Sequence, residues 1–387
     1  MTVCGIVCEY DPFHLGHEKQ LRLLRQQLGE DTAVIGCMSG NFTQRGSAAV
    51  FDKMTRARAA AACGVDLVVE LPITGVLQSA EGFAKTGTAA LTALGAEVLC
   101  FGCECGDAEK LMRAARTMQT ERYARLLRSA LEQGRSYAAA RQWALFAAGE
   151  DGTLLRKPND ILALEYCKAI VSQKSTLRPL ALLRQGDYHD ELPDAENPSA
   201  AAIRKLILNG GAWQSFVPEK AAAIYEGAVR FSDLWGERAK LARLYALEDA
   251  QWQAAAHGSE GLWSKVRGAA HSGAGVEEIL NAAKTKRYPR TRLQRLLTCA
   301  CLGITEADLR REIPYLRVLA FDETGRRLLR ELRGNTPIPL VNAGQRPPDE
   351  AYYALECRAA RLYGLFSDPS ADARIPCEQS LRFIPPR

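Results

Sequence analysis

The sequence predicts an α/β fold: a doubly wound parallel sheet in the N-terminal half, followed by a mainly helical C-terminal region. Three observations carry this expectation. Short apolar runs alternate with amphipathic runs through residues 1–105, the pattern of strands joined by helical crossovers. The string Asp11-Pro12-Phe13-His14-Leu15-Gly16-His17 lies between the first apolar run and the first amphipathic one, where such sheets bind ligands. Beyond Pro198 no clear strand is read before Leu316–Phe321.

Taken in order, Val3–Cys8 reads as a strand, and Gly16–Leu28, with Leu21, Leu23 and Leu24, as a helix. Thr32–Met38 is a strand followed by the loop Ser39–Gly46. Asp52–Cys63 is an Ala-rich helix, Asp66–Leu71 a strand, Glu81–Leu94 a helix and Val98–Phe101 a strand. Strands separated by helices pair in parallel through right-handed crossovers. Residues 107–149 read as helical, and Thr176–Leu183 supplies one more strand of the sheet. This bounds an N-terminal domain at 1–197 and a mainly helical region at 198–387. Gly210-Gly211 and Gly273–Gly275 break that region, and its end is Pro-rich.

Composition narrows the class. The chain has 387 residues, 47% hydrophobic and 25% charged, an ordinary globular balance. No apolar run reaches the length of a membrane span, and the N-terminus lacks a basic region like that of a signal peptide; a cytoplasmic, membrane-free protein is expected. The twelve cysteines lie largely inside expected strands and helices and read as small core residues of a reduced protein. Cys100, Cys103 and Cys105 are close together, but the spacing offers no second ligand pair, so no structural metal is expected. The net charge of +5 says little by itself. Its distribution says more: Lys284, Lys286, Arg287, Arg290, Arg292 and Arg295 fall in a stretch with no acidic residue. That is a candidate nucleic-acid surface, and a solvated helix face is the plain alternative.

The chemistry concentrates at the start of the chain. His14 and His17 sit ahead of a helix whose free N–H groups and dipole attract anions. Gly16 leaves room for a ligand to approach the backbone. Two imidazoles beside such amides suit the charge that develops on phosphorus during nucleotidyl transfer. Three later features are placed to join them. Asn159, at a helix start, offers an amide to a base or ribose, although capping is the simpler use. Arg184 follows the last strand of the sheet, where a guanidinium can grip phosphate. Ser199 caps a helix that carries Arg204 towards a polyphosphate. For these two the structural alternatives are a surface ion pair and a plain capped helix.

The HxGH string resembles the nucleotidyltransferase superfamily related to class I aminoacyl-tRNA synthetases. The fold this resemblance implies is the HUP-like form of the sheet. The longer match is to the bacterial tRNA(Met) cytidine acetate ligase family. It runs through Gly5–His17, Met38–Gly46, Asp66–Pro72, Gln78–Phe83, Phe101-Gly102, Lys157–Leu162, Arg184–Asp190, Thr285–Leu297 and Ile313–Gly325. The resemblance implies an ATP site comprising Val7, Cys8, Glu9, Tyr10, Asp11, Pro12, Phe13, His14, Leu15, Gly16, His17, Glu18, Lys19 and Gln20. Gly102, Asn159, Arg184 and Gln185 complete it. Asp11 stands where the family usually has Asn.

The same resemblance implies activation of acetate with ATP to acetyl-adenylate, then acetylation of N4 of the wobble cytidine of elongator tRNA(Met). His14 and His17 are the expected catalytic residues, with Mg²⁺ bound mainly through the ATP phosphates. Two other readings keep part of this site: a cofactor adenylyltransferase acting on a small phosphorylated substrate, and a non-catalytic RNA-binding protein. The basic stretch at 284–295 favours the first reading over the adenylyltransferase, and intact HxGH argues against the non-catalytic one.

Overall fold

The computed structural model describes residues 1–184, 199–273 and 275–371, with the backbone of 382–383. Five parallel strands form the centre of the sheet: β1 (Val3–Cys8), β2 (Ala33–Ser39), β3 (Leu67–Leu71), β4 (Val98–Cys103) and β5 (Arg178–Leu183). They lie in the order β5-β4-β1-β2-β3, followed by β6 (Leu316–Phe321) and β7 (Leu340–Asn342), with β8 (Arg382–Phe383) also on β6. β3 and β6 are antiparallel, whereas β7 and β8 run parallel to β6. The C-terminal region thus returns to the sheet and extends it past β3. The position expected to separate the two regions, near residue 197, lies outside the described residues.

The helices before the sheet returns are α1 (Leu15–Leu28), α2 (Lys53–Ala62), α3 (Ile73–Val76), α4 (Ala80–Ala93), α5 (Ala108–Thr117), α6 (Glu121–Glu132), α7 (Tyr137–Ala147) and α8 (Pro158–Ser172). Then come α9 (Ala200–Leu208), α10 (Glu219–Tyr225), α11 (Glu237–Tyr245), α12 (Asp249–Ala254), α13 (Leu262–His271), α14 (Val276–Ala283), α15 (Arg290–Leu302) and α16 (Glu306–Arg310). The last two are α17 (Glu323–Leu332) and α18 (Glu350–Gly364).

β2 is buried along its whole length, yet its side chains alternate between two cores, as the two-residue period of a strand requires. Val34 and Met38 pack with Leu21, Leu24, Met54 and Ile203 of α1, α2 and α9. Ile35 and Cys37 pack with Phe83, Leu91, Leu111 and Leu164 of α4, α5 and α8. Helices therefore cover both faces, the doubly wound arrangement. A third apolar cluster, with Leu244, Trp252, Val266, Leu280 and Leu297, holds α11 to α15 together. Eight of the cysteines, Cys4, Cys8, Cys37, Cys100, Cys103, Cys167, Cys299 and Cys301, are buried and unpaired, as core residues.

Candidate active site

The order β5-β4-β1-β2-β3 reverses direction between β4 and β1, and crevices at such switch points are where open α/β sheets bind ligands. A cleft of about 600 Å³ opens there. Its walls come from the end of β1, the start of α1, the loop 43–47, the ends of β4 and β5, the starts of α8 and α9, and one face of α15.

The two histidines form the floor. His14 is the N-cap of α1, and its Nδ1 accepts the N–H of Gly16 at 3.0 Å. His17, one turn on, accepts the N–H of His14 on its own Nδ1 at 3.2 Å. The rings lie against each other at a tilt of 31°, with centroids 3.8 Å apart, and Tyr10 meets His17 edge-on at 4.9 Å. Burial, aided by the charges of Arg184 and Arg204, lowers the pKa of His14 to about 3. Burial and His14 also lower that of His17 well below its usual value. With Nδ1 accepting in both rings, the neutral tautomers carry their proton on Nε2. Gly16 is required by its neighbour: a Cβ there would sit 2.8 Å from Cε1 of His14, so the glycine makes room for the capping ring.

The opposite wall is clasped by Glu104. Its carboxylate accepts the N–H of Asp160 at 2.7 Å and the Nδ2 of Asn159 at 2.8 Å. In return Oδ1 of Asp160 accepts the N–H groups of Glu104 and Cys105 at 2.9 and 2.8 Å. The N-cap of α8 is Lys157, which makes no side-chain cap. Glu104 therefore does that work from the position just after β4, satisfying first-turn amides and complementing the dipole. Gly102 faces open space.

Several ties fix the remaining groups. Arg204 donates to the carbonyl of Asp11 at 2.6 Å, and Oδ1 of Asp11 accepts the N–H of Val50 at 2.7 Å. An Asn at position 11 could accept that bond equally, whereas Asp adds an ion pair with Arg204 at 3.5 Å. Glu9 accepts the N–H of Gln44 at 2.6 Å, and burial raises its pKa. Arg56 is fully buried; its guanidinium donates to the carbonyls of Glu9, Ser39, Gly40 and Phe51, binding the ends of β1 and β2. Ser199 caps α9 as expected, accepting the N–H of Ala202 at 3.2 Å.

Of the residues singled out in the sequence, Val7, Cys8, Glu9, Tyr10, Asp11, His14, Gly16, His17, Lys19, Gln20, Gly102, Asn159, Arg184 and Arg204 all line this cleft. Pro12, Phe13, Leu15 and Glu18 do not. Phe13 is wholly buried and its N–H donates to the hydroxyl of Tyr225 at 3.0 Å, while Glu18 is exposed. Gln185 lies outside the described residues.

The basic stretch needs correction in two respects. Its cations find acidic partners from elsewhere in the chain: Arg287 and Arg292 meet Glu260 at 2.9 and 3.9 Å, and Arg290 binds both oxygens of Glu277. Arg295 is not on the surface at all. It is only 7% exposed and lines the cleft with Thr291, one turn before it on α15. The cause is the helical period, which turns positions 291 and 295 of α15 away from 290, while Arg287 precedes the helix. Glu104, Arg56 and the cleft position of Arg295 went unread. The signals were slight: an Arg on the apolar face of an Ala-rich helix, and a Glu between two cysteines.

Cys103, Cys105 and Asp160 hold their ligand atoms within 4.8 Å of one another, a meeting that residue spacing did not reveal. Burial raises the thiol of Cys103 to about 12 and that of Cys105 above its usual value, and Asp160 already serves two amides.

A family model described as HIGH nucleotidyl transferase matches residues 1–375. A tRNA(Met) cytidine acetate ligase of Anoxybacillus flavithermus is 35% identical over 379 residues, 94% of each chain. One of Clostridium perfringens is 34% identical over 391 residues, 96% of each chain. Among solved structures, apo TmcAL of Thermotoga maritima superposes with a TM-score of 0.91 at 27% identity, over 100% of both chains. The same protein bound with alpha-thio ATP gives 0.87 at 28%, again over 100% of both chains.

Proposed function

The chain belongs to the HIGH nucleotidyl transferase family and, within it, to the tRNA(Met) cytidine acetate ligases, and we propose the following course for its reaction. It is an ATP-dependent ligase that acetylates the wobble cytidine of elongator tRNA(Met). One observation carries the mechanism: His14 and His17 line a cleft at the switch point of the sheet and both accept backbone N–H groups on Nδ1, which leaves Nε2 as the donor of each neutral ring. An oxygen of acetate attacks the α-phosphorus of ATP, the bond to the β-phosphate breaks, and pyrophosphate leaves. Charge gathers on phosphoryl oxygens in that transition state, so fixed donors stabilise it without rearranging. His14 and His17 meet the phosphates from α1. Arg184 and Arg204 attract the departing pyrophosphate.

In the second step the N4 amine of cytidine attacks the acyl carbon of acetyl-adenylate. AMP leaves and one proton is released. The base must be reachable, which an anticodon loop allows and a duplex does not.

Mg²⁺ would neutralise phosphate charge when bound; Glu9 and Asp11, both lining the cleft, are engaged with Gln44, Val50 and Arg204, so it would be held mainly through the ATP phosphates. No described helix is long and apolar enough to cross a membrane, and a cytoplasmic location goes with a tRNA substrate.

ATP–pyrophosphate exchange, run with and without acetate, tests this reading. Exchange that depends on acetate supports it. Exchange that needs a phosphorylated cofactor instead, or none under either condition, overturns it.

A further inference from the structure

Among the described residues, Arg295 is a buried cation without a counter-ion. Its Nε is buried and has no hydrogen-bond partner, and its guanidinium has no ion pair or hydrogen bond among the described residues. Leaving such a donor unmet costs free energy unless a ligand completes it. Burial lowers its pKa to about 10, and Arg292 pushes the same way. It nevertheless stays charged at neutral pH.

Its placement is enforced. Thr291, Arg295 and Thr298 share one face of α15. Thr298 donates its hydroxyl to the carbonyl of Gly46 at 2.6 Å. Gly46 has φ +85°, and a Cβ there would lie 2.9 Å from the backbone N of Arg295. The loop 43–47 therefore lies directly on α15 and holds Arg295 at the cleft.

We propose that Arg295 is the receptor for the carboxylate of the acyl substrate. This rests on the acetate-activating reading above. A guanidinium fork matches a carboxylate with two parallel hydrogen bonds, and a single positive charge uncompensated among the described residues matches a monoanion. Arg184 and Arg204 enter the cleft from the end of β5 and from α9, whereas Arg295 enters it from α15, against the loop 43–47. With only 7% of its surface exposed, Arg295 is too recessed for the backbone of a folded RNA.

The test uses Arg295→Met and Arg295→Lys in the full chain, by acetate-dependent pyrophosphate exchange. Met removes an unpartnered buried charge, so the variant should melt no lower than the parent; Arg295→Lys, which keeps the charge, provides the second variant if it does. For Met, the acetate KM should rise at least tenfold with the ATP KM changed less than twofold. Lys should fall between Met and the parent. Acetate should further raise the melting temperature of the parent saturated with a non-hydrolysable ATP analogue, and not that of Arg295→Met. An unchanged acetate KM overturns the proposal. So does a rise in ATP KM of equal size, which assigns the residue to phosphate, or a loss confined to tRNA acetylation. No acetate-dependent exchange in the parent enzyme would overturn the functional reading and this inference together. Exchange that is intact in the parent and equally intact in both variants overturns this inference alone.

Discussion

The backbone N–H of His14 donates to Nδ1 of His17 at 3.2 Å, and this bond dictates what the second imidazole can offer a ligand. A ring that accepts on Nδ1 cannot be protonated there without losing the bond. The first ring is constrained in the same way by Gly16. On the proposed reading both histidines act as neutral donors through Nε2, preorganised before any phosphate arrives.

The pH dependence follows from this. An imidazole whose pKa is lowered from 6.5 to about 3 stays neutral down to acidic pH. If the pair acted as imidazolium ions, kcat/KM for ATP in the exchange reaction would rise as pH falls through 6.5. With the pair neutral it should be level from about pH 7.5 to 5.5, and fall only as the pH approaches the lowered pKa of about 3 and protonation breaks the two Nδ1 bonds. The kcat/KM profile reports the free enzyme. A rise of tenfold between pH 7.5 and 5.5 would contradict the assignment. His17→Ala, which deletes one donor, should lower exchange by about 10²–10³ in a protein with unchanged circular dichroism.

Gly16→Ala separates the ring's position from its presence. Alanine favours helix more than glycine does, so helix propensity does not penalise the change. The new Cβ falls 2.8 Å from Cε1 of His14, forcing the ring off its cap. Exchange should drop by about 10²-fold while the melting temperature moves by a few degrees at most. Retention of full exchange would mean that the capping geometry is not needed for catalysis.

The central sheet was legible because its strands are short, apolar and punctuated: β1 to β5 all fall within two residues of their expected bounds. Strands β7 and β8, of three and two residues, are too short to leave a periodic signal. The histidines were legible because strand, turn and helix start are consecutive in the chain. The clasp between Glu104 and Asn159 was not, since it joins residues 55 apart that only the crossover through α5 to α7 brings together. Arg295 was misread for a related reason. A run of cations looks uniform in one dimension, but the 100° turn per residue of a helix sends successive members to different environments.

Glu104 should matter more than its place between two cysteines suggests. Glu104→Ala leaves the N–H of Asp160 and the side chain of Asn159 without their acceptor. Removing a cap costs about 1 kcal/mol, and more where the orphaned donors are buried. A drop in melting temperature of several degrees is expected, together with a higher ATP KM, because Asn159 lines the cleft. Glu104→Gln retains an acceptor oxygen and should lie between. If Glu104→Ala binds and turns over ATP like the parent, Asn159 is not a nucleotide contact.

The basic stretch yields a graded prediction for tRNA. Lys284 and Lys286 are exposed, while Arg287 and Arg290 are engaged with Glu260 and Glu277. Exposed ion pairs are worth about 0–1 kcal/mol, so phosphate can displace the carboxylates, but the lysines meet it without that exchange. Lys284→Glu with Lys286→Glu should weaken tRNA binding and flatten its log–log salt slope by up to about 0.9 per lost contact on duplex, and less on a single strand. Glu260→Gln should act in the opposite direction, releasing Arg287 and tightening binding. Acetate-dependent exchange needs no RNA and should be unchanged in all three positions. A double lysine variant with full tRNA affinity and an unaltered salt slope would make the stretch a solvated face, and would move the RNA site to another surface.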